Sequence, residues 1–138
     1  MIRVLSQKIG ALDKRVELRA SHSPHAQRLM DVPGVGPITA LMFSAHIDDP
    51  HRFRSAKQVR TYLGLVPREY SSGERRQLGK ISKAGDPTMR ALLVQASLAF
   101  KNARDPRCEE LRRWAAEVSV RRGKGRATVA LARRLSGI

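Results

Sequence analysis

Cysteine occurs once in 138 residues, at Cys108. A single thiol excludes an intrachain disulfide and any cysteine-rich zinc site, and nothing directs the chain to an oxidising compartment. Aromatic residues make up only 4% of the chain, too few for the base-stacking platforms that RNA-binding sheets use. Acidic residues are also scarce: Asp and Glu total 12 against 27 Lys and Arg, a formal net charge of +15. No apolar run is long enough to span a membrane. The opening stretch MIRVLSQKIGALDKRVELR is charged throughout, unlike a signal peptide. A cytoplasmic, nucleoid-associated protein is therefore expected, with no membrane partner.

What is present is enough for one core. Hydrophobic residues at 41% argue against wholesale disorder, and the length suits one compact domain or one domain plus an extension. A surplus of positive charge repels itself unless an anion lies nearby. Nucleic acid is the commonest polyanion partner, with a merely solvated basic surface as the competing reading.

Apolar residues at Ile2, Leu5, Ile9, Leu12 and Val16 follow the three-four spacing of a heptad seam. Residues 1–22 are accordingly expected as a helical extension, either the end of a coiled coil or a helix packed on its own domain. Residues 26–138 are expected to form a mainly helical, all-α domain of about six helices around one irregular basic loop at 67–86. Within it, 28–46 reads as helix, tight turn at Pro33-Gly34-Val35-Gly36, and helix. Ser55 reads as the cap of a helix over 55–66. Asp86 and Pro87 read as cap and first residue of a helix carrying Met89, Leu92, Leu93, Ala96 and Phe100. Two more helices follow over 109–120 and 127–138, and a short hairpin through RRQLGKIS is allowed within the loop.

Two places can touch nucleic acid. The pattern around Gly34 and Gly36 resembles a helix-hairpin-helix, in which tight backbone and a helix N-terminus present N–H groups to a phosphate oxygen. Such a contact ignores base identity, and a turn that only joins two helices is the alternative. The second place is the stretch PREYSSGERRQLGKISKAGD, where Arg68, Arg75, Arg76, Lys80 and Lys83 surround Ser71 and Ser72. Guanidinium forks match phosphate oxygens in pairs. From the residues alone the serines are either incidental to a flexible loop or a nucleophile attacking a phosphodiester. No metal-binding carboxylate cluster accompanies them: Glu69 and Glu74 are isolated, and Asp86 reads as a cap. Hence no metal site or other cofactor is expected in this chain. His22, His25, His46 and His51 lie outside the stretch and show no triad spacing.

Three pieces, in order, carry a resemblance: DVPGVGPITA, then RFRSAKQVRTYLGLVPREYSSGERRQLGKISKAGDPTMRALLVQAS, then an arginine-rich tail. Together they resemble the C-terminal domain of insertion-sequence transposases of the IS-one-ten type, relatives of the Piv and MooV site-specific recombinases. The resemblance implies DNA transposition guided by a structured RNA, with the serine just before the loop glycine forming a transient phosphoserine link to DNA. That serine is Ser72, before Gly73; Ser71 is the fallback. Arg90, the arginine of the closing R-x-L-L, joins the expected nucleic-acid contacts. The family's magnesium belongs to an N-terminal RuvC-like domain whose acidic residues have no match here. The chain is thus expected to be a C-terminal fragment, a degenerate copy or a separately encoded half. Its partners would be DNA, guide RNA, and either further copies of itself or a separate RuvC-like domain, and activity in isolation is not expected.

Overall fold

A computed structural model describes residues 1–138. The chain order is α1 (Ile2–Ser21), α2 (Pro24–Met30), α3 (Pro37–Ile47), α4 (Ala56–Tyr62), β1 (Pro67–Ser72), β2 (Arg75–Ile81), α5 (Pro87–Asn102), α6 (Glu109–Arg122) and α7 (Lys124–Leu135). Single 3-10 turns at Pro50–Arg52 and Pro106–Cys108 open onto α4 and α6. The architecture is mainly helical, with seven α-helices and one two-stranded sheet.

Proline and a side-chain acceptor start several of these elements. The Asp86 carboxylate accepts from Met89 N–H at 2.7 Å, with Pro87 as the first residue of α5. Ser23 caps α2 in the same way, through Ala26 N–H at 3.2 Å. Ser55 stands at the N-cap of α4 with extended backbone, but its side chain makes no capping bond. The neighbouring N–H of Arg54 is instead taken by Gln58 Oε1 at 2.7 Å. The basic turn between the last two helices is shorter than the sequence indicates. A single residue, Gly123 at φ 87°, separates α6 from α7, and Lys124 to Arg126 are already helical.

The core lies along α5 and α7. Leu63, Leu65, Met89, Leu93 and Ala132 form one buried cluster. Phe100, Cys108, Ala115, Leu131 and Leu135 form a second. Burial also pushes the Cys108 thiol above its ordinary pKa, so it packs as a small apolar group. A third, small cluster of Ala20, Ala26 and Ala40 lets α1, α2 and α3 approach closely. Only this C-terminal end of α1 is packed: Leu5, Ile9 and Leu12 remain 55%, 58% and 55% exposed, so the heptad seam has no partner within the chain.

The stretch expected as an irregular loop is an antiparallel hairpin. Ser72 pairs with Arg75, Ser71 with Arg76, Tyr70 with Gln77 and Glu69 with Leu78, and a bulge follows toward Pro67 and Ile81. The turn is at Gly73-Glu74, ahead of RRQLGKIS, which is one strand rather than a hairpin of its own. Positive φ at Gly73 (64°) and none at Glu74 is the φ pattern of a type II′ turn, which matches strand twist. Both faces are open to solvent over nearly the whole hairpin, so no apolar alternation marks it in the sequence.

A bare two-stranded hairpin is marginal in water, and this one is held at its root. Gly64 (φ 71°) and Gly85 bring the two stems into backbone contact. A Cβ on Gly64 would lie 2.6 Å from Ala84 N, and one on Gly85 would run into Tyr62 O. Lys83 N–H donates to Gly64 O at 3.0 Å, and Ser82 N–H to Val66 O at 2.9 Å. The turn before α3 shows a similar close approach: a Cβ on Gly34 (φ 88°) would stand 2.6 Å from Ala96 O and 2.7 Å from Phe100 N of α5. Gly36, by contrast, has open space around it. Urea denaturation is expected to show a loss of about 2–4 kcal/mol for Gly34→Ala and for Gly85→Ala, where backbone must move. Gly36→Ala should cost less than about 1 kcal/mol, the difference between glycine and alanine as a cap.

Candidate nucleic-acid interface

The register of the hairpin sorts the expected site residues onto two faces, because cross-strand partners project on the same side and neighbours alternate. Ser72 shares a face with Arg75, Tyr70 and Gln77. Ser71 shares the other with Glu69, Arg76 and Leu78. The faces differ in chemistry. Ser71 Oγ donates to Glu69 Oε1 at 2.9 Å, and the same carboxylate pairs with Arg76 Nε at 3.0 Å. Ser72 makes no such bond, and Arg75 opposite it has no carboxylate partner among the chain's ion pairs. On this face the Tyr70 ring covers Gly79, where an added Cβ would meet Tyr70 Cε2 at 2.9 Å.

The remaining basic residues divide between a free exposed side chain and bonded positions at the root. Lys80 is exposed in β2. Arg68 Nη2 reaches Ser82 O at 3.3 Å and so bridges the two stems. Lys83 follows β2 with a positive φ of 56°, its N–H bound to Gly64 O. Arg90 is the exception: half-buried, its Nη1 donates to Gly85 O and, at 3.5 Å, to Leu63 O. It clamps the residues flanking the hairpin at its root, which is a positioning task.

Gly34 and Gly36 are not gathered with the hairpin. Gly34 packs against Ala96 and Phe100 of α5, whereas the hairpin is rooted at Gly85, before α5 begins. Ten or more helical residues separate the two, about 15–20 Å along the axis. The N–H groups of Gly34 and Gly36 make no backbone hydrogen bond, so they remain free to donate. The pattern that suggested a phosphate contact thus also encodes the seat of this turn on α5.

Sequence spacing gave no hint of His46. Its Nδ1 donates to Met42 O at 2.9 Å, which leaves Nε2 facing Asp86 Oδ1 at 3.8 Å. The two line a cavity of about 500 Å³ with Tyr62, beneath the hairpin root. Only the tertiary meeting of α3 with the start of α5 makes this pair visible. No group of three or more His, Cys, Asp or Glu side chains gathers anywhere to hold a metal ion. No helix is long and apolar enough to cross a membrane.

Removing the Arg90 guanidinium leaves two carbonyls without their donor. Arg90→Ala is expected to cost about 1–3 kcal/mol. It should also speed amide hydrogen exchange at residues 64–66 and 82–85 well above that of α7; uniform protection across both regions would contradict the clamp.

Residues 26–113 match the family model described as Transposase IS116/IS110/IS902 family. A probable family 20 transposase of Pseudomonas aeruginosa is 34% identical over 95% of this chain and 39% of its own length. The transposase for insertion sequence element IS1111A of Coxiella burnetii is 35% identical over 91% of this chain and 35% of its own. A pilin gene-inverting protein of Moraxella bovis is 29% identical over 76% of this chain and 34% of its own. The chain therefore spans well under half the length of these relatives.

Proposed function

The chain belongs to the IS116/IS110/IS902 transposase family, and on that premise we propose that it is the DNA-joining part of a transposase, with Ser72 as nucleophile. The observation that carries this reading is the unshared Ser72 hydroxyl at the turn of a solvent-projecting hairpin, directly across from Arg75. Attack of Ser72 Oγ on a DNA phosphorus forms an oxygen–phosphorus ester and breaks the bond to the departing deoxyribose oxygen. That oxygen takes up a proton, and the serine proton passes to a base. The ester conserves the bond for rejoining. Arg75, with no carboxylate partner, is placed to offset charge that develops on the phosphoryl oxygens.

The residues present do not fit a magnesium site, since no three ligating side chains converge. In this reading the metal and its acidic ligands come from a RuvC-like domain, in another part of the enzyme or on another chain, and a structured guide RNA selects the DNA. Gly34 and Gly36 at the start of α3 hold a second stretch of backbone phosphate.

One observation favours a second reading. Glu69 already accepts the hydrogen bond of Ser71 Oγ, which is the geometry of a nucleophile beside its base. Its pairing with Arg76 holds that carboxylate in a neutralised pair, and for this reason Ser72 is preferred.

A suicide DNA substrate separates the readings, assayed with the chain alone and with an added RuvC-like domain and guide RNA. A covalent protein–DNA band is expected in the complete mixture, lost in Ser72→Ala and kept in Ser71→Ala. The reverse pattern would assign Ser71. No band under any condition would leave a nucleic-acid-binding module without catalysis.

A further inference from the structure

A second basic cluster lies away from the serines. Arg60, in the last turn of α4, reaches the segment after α7: a Cβ on Gly137 would come within 2.5 Å of Arg60 Nη2 and 2.7 Å of its Nε. The Nε is sealed from solvent and has no hydrogen-bond acceptor. Arg133 and Arg134 stand in the last turn of α7. Burial first, then the charges of Arg60 and Arg134, pull Arg133 below the ordinary arginine value. The Arg134 guanidinium is seated 4.1 Å from the centre of the Trp114 ring, a cation–π contact that fixes its position.

Nothing in the chain neutralises this group. Its ion pairs are His46–Asp86, Arg76–Glu69 and Arg107–Asp105, all elsewhere. Helix ends ordinarily attract cations, but here Val59, Arg60 and Thr61 O of α4 and Ala132, Arg134 and Leu135 O of α7 are already bonded to N–H groups that follow each helix, and Arg133 O accepts from the Ser136 hydroxyl. Arg60 against the segment after α7, with Arg133 and Arg134 in the last turn of that helix and no carboxylate to offset them, fits an anion that accepts several N–H bonds at once, from the guanidinium nitrogens other than the covered Arg60 Nε.

We propose that Arg60, Arg133 and Arg134 form a binding site for a backbone phosphate of the nucleic acid, separate from the serine hairpin. The site rests on the nucleic-acid reading above and deepens it. It contacts phosphate only and is indifferent to base sequence. The phosphodiester is chemically the same in DNA and in RNA, and the strand that occupies the site identifies itself in the assay.

The test is a salt titration of affinity by fluorescence anisotropy, with a labelled duplex DNA and, separately, a labelled stem-loop RNA. Arg133→Gln should weaken binding about tenfold at low salt and lower the slope of log affinity against log salt by about one unit, for whichever nucleic acid occupies the site. Arg133→Lys should keep the slope, because charge is kept, while binding more weakly through loss of the fork. Inorganic phosphate should raise the melting temperature of the wild-type chain more than that of Arg133→Gln, which also shows that the variant is folded. Unchanged affinity and slope in Arg133→Gln, alongside a loss in Arg75→Gln, would overturn the site and leave the nucleic-acid reading standing. Such a result would assign the arginines to a carboxylate of another protein surface. Absence of salt-dependent binding by the wild-type chain to either probe would overturn both.

Discussion

The hairpin depends on one backbone crossing. Where the stems leave α4 and enter α5, Gly64 and Gly85 allow main chain to touch main chain, at distances no Cβ would permit. Arg90 then ties the carbonyls on either side of the crossing to α5. Leu63 and Leu65, buried beside Met89 and Leu93, fasten the same point to the core. A two-stranded ribbon with no apolar face has little stability of its own. It stays ordered because its two ends are pinned together and to α5, a helix of the core.

From that root the ribbon carries its serines outward, and strand alternation decides their company. Ser71 points with Glu69 and Arg76, already bonded to each other, whereas Ser72 stands with Arg75 at the turn. One residue of register separates a hydroxyl engaged with a carboxylate from one that makes no side-chain hydrogen bond. A net charge of +15 favours a polyanion without regard to position, so it does not by itself distinguish the two hydroxyls.

The helices were legible in the sequence because α5 combines an aspartate cap, a proline start and apolar residues at helical spacing, each a local signal. The heptad seam of α1 was legible too, but the pattern alone could not say whether it packs on the domain. In the structure Leu5, Ile9 and Leu12 remain exposed. The hairpin reads as an irregular loop in the sequence because both its faces are exposed, so the period-two alternation that marks a strand is missing. Its glycines were visible, but their spacing suggested breaks, while Gly64 and Gly85 act as a contact between residues far apart in sequence. The nearness of Arg60 to Gly137, and of His46 to Asp86, comes from helix packing that no local pattern encodes. Arg90 shows the converse: the R-x-L-L pattern marked it as important, and the structure assigns it to holding the hairpin root.

The most direct measurement is peptide mapping by mass spectrometry of the covalent protein–DNA complex trapped from the complete mixture. A nucleotide mass on Ser72, with Ser71 unmodified in the same peptide, is the expected result. A nucleotide carried by Ser71, or by any residue outside the hairpin, would contradict the claim that the turn-proximal serine opposite Arg75 attacks the DNA.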